Sequence, residues 1–222
     1  FTDIFEPPRT DGSGNIRDNL REAFRLLKEA GWIVRDGKLV NAETGKPFEF
    51  EMLLIEPAFE RVALAYKRNL QRLGIAMRVR TVDTAQYQNR IDRFDFDMAV
   101  EGFGQSLSPG NEQRDYWGSL AADIPGSNNT IGIKDPVVDE LIDLIIAAPD
   151  RKALIDRTRA LDRVLLWGFY VVPNWHNRVF RVVWWDKFGR PPIVPKYTYG
   201  FDTWWVDPEK DAALMTRRNE FQ

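Results

Sequence analysis

The 222-residue chain has no cysteine and a single histidine, His176. The first absence excludes disulfides, thiolate metal sites and cysteine nucleophiles, and leaves the compartment open. The second leaves His176 without Asp or Glu partners at helical or short-turn spacing, so no metal site and no cofactor is expected. No apolar run is long enough to span a bilayer. Formal net charge is only −2, which gives no overall pull toward nucleic acid or anionic membranes. Two short catalytic signatures are missing as well: the Gly-x-Ser-x-Gly elbow and the Gly-x-x-x-x-Gly-Lys phosphate loop. The N-terminus, Phe1-Thr-Asp-Ile-Phe-Glu-Pro-Pro8, has neither the basic start nor the apolar stretch of a signal peptide. It reads as mid-protein sequence and predicts a fragment of a longer chain.

Hydrophobic residues make up 44% and charged residues 29%, enough apolar material for one large or two small domains with a sizeable core. Residues 1–14, with Pro7, Pro8, Gly12 and Gly14, read as a linker. Asn15 is placed to cap a helix whose apolar stripe is Leu20, Ala23, Phe24, Leu27 and Ala30, closed by Gly31. Asp36-Gly37 between Trp32-Ile-Val and Lys38-Leu-Val predicts a tight hairpin.

From Phe48 the pattern is α/β. Strands are expected over 48–55 and 75–82, with a helix between them that Pro57 opens and Gly74 closes. The resulting βαβ unit makes the two strands parallel neighbours and places Glu49 and Glu51 opposite Arg78 and Arg80. A short helix over 84–93 leads into a third strand over 95–101, with Phe96, Met98 and Val100 on one face and Asp95, Asp97 and Ala99 on the other. Two amphipathic helices follow, capped by Asp135-Pro136 and by Asp150, the second ending near Gly168. Residues 15–170 thus form one α/β lobe, a mixed sheet flanked by helices. Residues 171–222 differ, carrying Trp175, Trp184, Trp185, Trp204 and Trp205. Such aromatic density must pack on something.

The third strand runs into Glu101-Gly-Phe-Gly-Gln-Ser-Leu-Ser-Pro-Gly-Asn-Glu-Gln-Arg-Asp-Tyr-Trp117. Gly102 and Gly104 remove side chains where a ligand could approach closely. Gln105, Ser106, Ser108, Asn111 and Gln113 supply uncharged donors and acceptors. Phe103, Tyr116 and Trp117 supply apolar faces, and Arg114 a charged fork. In open α/β sheets ligands sit beyond the carboxyl ends of strands, where this loop would lie. The competing reading is a surface loop whose Gly, Ser, Pro and Asn only turn the chain. Asp95 and Asp97, roughly 6.6–6.8 Å apart by strand rise, fall inside the window for an inverting glycosidase pair. Alternating acids on a strand are more often a solvated face.

The order of these segments resembles the second large lobe of the family 5 bacterial solute-binding proteins, the peptide, dipeptide and nickel receptors of ABC importers. The resemblance is carried by Leu26-Leu-Lys-Glu-Ala-Gly-Trp32 with its hairpin, Gln71-Arg-Leu-Gly-Ile75, Phe94-Asp-Phe-Asp-Met98 and Asp135-Pro-Val-Val-Asp139. Ser106-Leu-Ser-Pro-Gly-Asn-Glu-Gln-Arg-Asp-Tyr-Trp-Gly-Ser119, Trp184-Trp-Asp-Lys-Phe-Gly189 and Gly200-Phe-Asp-Thr-Trp-Trp205 look like the Yej-type subgroup, receptors for oligopeptides and microcin C. The resemblance implies a periplasmic binding component that takes an oligopeptide or peptide-like ligand and delivers it to membrane permease subunits, without catalysis. It implies that the tail from about Val171 returns toward a first lobe, and that a fragment without that lobe can self-associate through its tryptophans. The implied ligand-binding residues are Phe103, Gly104, Gln105, Ser106, Leu107, Asn111, Arg114, Trp117 and Trp175. Many family members carry an Asp in a Gly-Trp-x-x-Asp context after the third strand, which holds the peptide's α-amine. Here the matching run is Gly102-Phe-Gly-Gln-Ser106, and a ligand without a free amine fits better. A sugar-containing ligand, or a carbohydrate-active enzyme using Asp95 and Asp97, is the alternative.

Overall fold

The computed structural model describes residues 4–174, 179, 181–193, 195 and 198–220. They fall into two compact units, Phe1–Val171 and Val172–Gln222.

In the first unit, α1 (Arg17–Glu29) leads into a hairpin of β1 (Trp32–Arg35) and β2 (Lys38–Asn41). Asp36 and Gly37 take φ of 50° and 75°, the positive pair that a two-residue turn needs to match strand twist. Asn15 stands one residue ahead of its expected capping place. It accepts from the Arg17 amide at 3.2 Å, while Ile16 occupies the cap without a side-chain bond.

β3 (Glu49–Leu54), α2 (Glu60–Gln71) and β4 (Ala76–Thr81) form the expected βαβ unit, and α3 (Thr84–Asp92) leads to β5 (Met98–Ala99). Strand order is β4-β3-β5, and both pairings are parallel. A mixed sheet was the expectation. The described sheet is parallel throughout because each strand is joined to the next by a helical crossover, and antiparallel pairing lies outside it, in two two-stranded ribbons and a Val40–Pro47 bridge. Alternation along β3 feeds two cores. Met52 and Leu54 pack with Ala63 and Met77 on the α2 side, whereas Leu53 packs with Tyr87 and Ile91 of α3 on the other. Full burial of each such side chain stabilises the fold by roughly 1.5–3 kcal/mol.

β5 is much shorter than the expected 95–101, and the three residues before it break the alternation. Phe96 joins Ala99 on the α3 side, while Met98 and Val100 lie on the α2 side. Arg90 causes the irregularity. Its Nε donates to the Asp95 carbonyl at 2.8 Å and to the Asp95 carboxylate at 3.0 Å, holding 95–97 off the ladder, with Phe94 at φ 56°. Arg90 also takes Glu51 at 2.8 Å, so the expected pairing of Glu51 with Arg78 gives way to an ion pair with α3.

The rest of the unit is helical: α4 (Glu112–Trp117), α5 (Pro136–Ile146) and α6 (Arg151–Trp167). Asp135 and Asp150 cap α5 and α6, accepting from Val137 and Ala153. Val138, Ile142, Ile145, Leu161 and Val164 close on Ile133 and Trp117 as a further core.

The second unit has a short antiparallel ribbon, β6 (Phe188–Gly189) with β7 (Trp205–Val206), followed by α7 (Pro208–Glu220). Its centre is Trp204, in ring contact with Trp184, Phe188 and Phe201. The Arg190 guanidinium lies over Trp184 and Trp204 at 4.8 and 5.4 Å, a cation–π arrangement. Trp185 and Trp205 stay more than half exposed.

Candidate functional site

β5 runs parallel to β3, so the segment after it emerges at the carboxyl edge of the sheet. Its departure point is anchored from α3. The buried Tyr87 donates its hydroxyl proton to the Val100 carbonyl at 2.7 Å, and Glu101 lies 3.5 Å from the same oxygen. Burial, then the Glu101 charge, pushes the Tyr87 hydroxyl up to about 12. Crowding of the Glu101 carboxyl likewise raises it above the usual carboxylate range, against the Tyr87 and Gly102 hydrogen bonds that lower it.

Beyond Glu101 the loop is fastened by one aromatic residue. Phe103 sits 4.7 Å from Trp117 and 6.1 Å from Tyr116, ring centre to ring centre. The three rings expected to face a ligand are thus brought together with one another. Trp117 is 9% exposed and belongs to the helical core.

Gly104, Gln105, Ser106, Leu107, Asn111 and Arg114 remain exposed. Among the described residues, nothing lies within 4 Å of the place a Gly102 side chain would occupy, and only the Tyr116 hydroxyl, at 3.9 Å, near that of Gly104. Ser106 Oγ accepts from the Ser108 amide at 3.1 Å, a local turn that tightens the tip. Leu107 exposes its side chain, and its carbonyl accepts from Arg151 at the start of α6. Arg114 meets Asp143 of α5 at 2.8 Å and Asn111 at 3.3 Å, an exposed pair that leaves part of its fork to other acceptors. Trp175 lies outside the described residues, as does His176. Among the described residues no cluster of three His, Cys, Asp or Glu could hold a metal ion.

Three residues support the loop from behind; Gln113 was expected to face a ligand, and Asn129 and Arg151 had no sequence signal. Gln113, 3% exposed, accepts from Trp117 Nε1 at 3.0 Å and donates to Gln105 at 2.7 Å. Asn129, fully buried, donates to the Gly118 and Ile133 carbonyls and accepts from the Ile133 amide. Arg151 reaches Leu107 across 44 positions. Asn129 and Arg151 act on backbone carbonyls and an amide, and Gln113 on two side chains, none of which periodicity reveals. Asp95 and Asp97 lie at the opposite end of β5 from the loop. Asp95 is held by Arg90, and Asp97 accepts from the Glu51 amide at 2.8 Å.

Probable peptide-binding protein YejA of Agrobacterium fabrum is 45% identical over 92% of this chain. Peptidoglycan-binding protein YepA of the same organism is 39% identical over 89%. The chain spans about a third of the length of these relatives, 34% and 32%. Among solved structures, the oligopeptide-binding protein AppA of Bacillus subtilis with a nonapeptide superposes with a TM-score of 0.64 at 20% identity, over 84% of this chain and 37% of that one. At that identity the likeness speaks for the fold: the α/β architecture is that of the periplasmic binding proteins. The family description "Bacterial extracellular solute-binding proteins, family 5 Middle" matches residues 2–123, more than half of the 222 residues. The chain belongs to the family 5 bacterial extracellular solute-binding proteins.

Proposed function

We propose that this chain is the ligand-binding lobe, with a returning C-terminal segment, of a periplasmic receptor for an ABC importer. Residues 15–170 serve as the lobe, 1–14 as a linker and 171–222 as the segment that returns toward a first lobe. In a fragment lacking that lobe, Trp185 and Trp205 are the surface through which copies self-associate. The receptor binds oligopeptides or peptide-like compounds and hands them to membrane permeases. It requires no catalytic group, since two lobes closing by a hinge suffice to capture a ligand. The observation that carries the reading is the exposed, mostly uncharged loop 102–111 at the carboxyl end of a parallel strand. Peptide backbone can pair with such a loop, with water taking up varied side chains.

The ligand favoured is one without a free α-amine. A buried ammonium left without a carboxylate costs several kcal/mol, and Ser106 offers only a hydroxyl. The name of the peptidoglycan-binding relative supports this choice, because the stem peptides of peptidoglycan are joined through their first nitrogen. Calorimetry on the full-length receptor with a peptide in free and N-formylated form tests the reading. The formylated form is expected to bind at least as tightly. Tenfold tighter binding of the free amine, about 1.4 kcal/mol, refutes the argument from Ser106, and binding of neither refutes the peptide reading.

A further inference from the structure

The hydrogen bonds behind the loop run in one direction only. Trp117 Nε1 can only donate, so the Gln113 atom 3.0 Å from it is the amide oxygen. The other end of Gln113 is therefore its nitrogen. That nitrogen has two protons and two acceptors, Gln105 Oε1 at 2.7 Å and Glu112 Oε1 at 3.3 Å. A carboxylate can only accept, so Glu112 enforces the same polarity from the other side. Glu112's own amide and that of Gly110 hold its carboxyl below the usual carboxylate range, which favours the accepting form. Amide orientation is ordinarily ambiguous because its oxygen and nitrogen are alike in shape. Here a donor-only ring and an acceptor-only carboxylate remove the ambiguity for a side chain that is 3% exposed.

Turning Gln113 around would place nitrogen against the indole N–H and oxygen against the Glu112 carboxylate. Both of those hydrogen bonds would be lost at a buried side chain whichever way Gln105 turned, at high cost. The consequence passes to the surface. Gln105 is exposed, its oxygen is occupied by Gln113, and its amide nitrogen has no hydrogen-bond partner among the described residues.

We infer that Trp117, Gln113 and Glu112 form a relay that fixes Gln105 with its amide nitrogen toward the ligand, so that this point of the site recognises an acceptor oxygen. A formyl or acyl oxygen, a peptide carbonyl or a carboxylate fits; an ammonium meets two protons of like polarity. Trp117 and Gln113 are thus positioning residues, acting on the ligand through Gln105. The inference rests on the receptor reading proposed above and adds the group and polarity that set its preference.

The test measures, for the full-length receptor, the ratio of affinities for formyl-Ala-Ala-Ala and Ala-Ala-Ala by calorimetry. In Gln113→Met a side chain of similar length keeps the packing but can neither accept from Trp117 nor donate to Gln105. Nothing then holds Gln105 from inside, and either end of its amide can face the ligand. The ratio is expected to fall by up to about tenfold, toward one. Trp117→Phe keeps the packed ring and removes the donor, so the relay loses its direction and the ratio moves toward one. Gln105→Ala, at an exposed position where folding is not at stake, moves it toward one as well. A ratio unmoved by Gln105→Ala overturns the inference. So does an equal loss for both peptides in the two relay variants. Binding of neither peptide by the unsubstituted receptor overturns the peptide reading and this inference with it, a result distinguished by appearing before any substitution.

Discussion

Replacing Asn129 by alanine removes three hydrogen bonds at a position with 0% exposure: Asn129 Nδ2 to the Gly118 and Ile133 carbonyls at 3.0 Å each, and the Ile133 amide to Oδ1 at 2.9 Å. All three partners are backbone groups, and Gly118 and Ile133 are themselves buried. At about 1 kcal/mol per hydrogen bond, with partners left dry and unpaired, the loss comes to roughly 2–4 kcal/mol. That is a large fraction of the 5–15 kcal/mol that holds a typical domain folded. The position is also mechanically placed. Asn129 ties the end of α4 to the segment leading into α5, so its loss loosens the frame on which Phe103 and the loop after β5 rest. Urea unfolding of the chain, followed by circular dichroism, measures the cost. Asn129→Asp sharpens the test: at neutral pH it sets a carboxylate oxygen against two carbonyl oxygens. The folded state then favours the protonated acid, so its pKa is raised. Stability of this variant is accordingly greatest below the ordinary carboxylate range and falls as pH rises through the raised value. A cost below about 1 kcal/mol for alanine, or wild-type stability of the aspartate variant at neutral pH, would refute the reasoning.

Two further outcomes are expected. Gly74→Ala should destabilise the chain by at least about 1–2 kcal/mol, because Gly74 sits at φ 84° and its added carbon would stand 2.7 Å from the Leu39 backbone nitrogen; thermal melting checks this, and an unchanged midpoint sinks it. Tyr87 should ionise only around pH 12, against a usual 10.0, so spectrophotometric titration of Tyr87→Phe should lose a phenol step at about that pH. The stability held by the neutral phenol is complete below 10 and is lost as pH climbs through 12.

Local chemistry made several elements legible from sequence alone. Asp36-Gly37 can adopt two positive φ values at small cost, and the hairpin follows wherever the rest of the chain goes. Asp135 and Asp150 cap their helices through amides two and three residues away. The alternation of residues 48–54 and 75–79, with a helix of fitting length between, dictated parallel neighbours, because a crossover helix permits nothing else. The segment after β5 stood out by composition, and family membership was readable from the order of short motifs.

What the tertiary structure decided were contacts between groups far apart in the chain. Phe96 has the spacing to share a face with Met98, yet Arg90 holds the preceding backbone off the ladder and Phe96 packs against Tyr87 and Ile91 instead. Glu51 has Arg78 opposite it in register, yet it pairs with Arg90, which approaches from the helical layer where both are largely shielded from water. Trp117 carries the composition of a ligand-stacking residue, and the closure of α5 and α6 buries it. Its indole proton then sets the direction of Gln113 and, through it, of Gln105. Periodicity and spacing report which face a residue shows to its own element; which partner waits on that face, and whether it donates or accepts, is settled only when the elements pack.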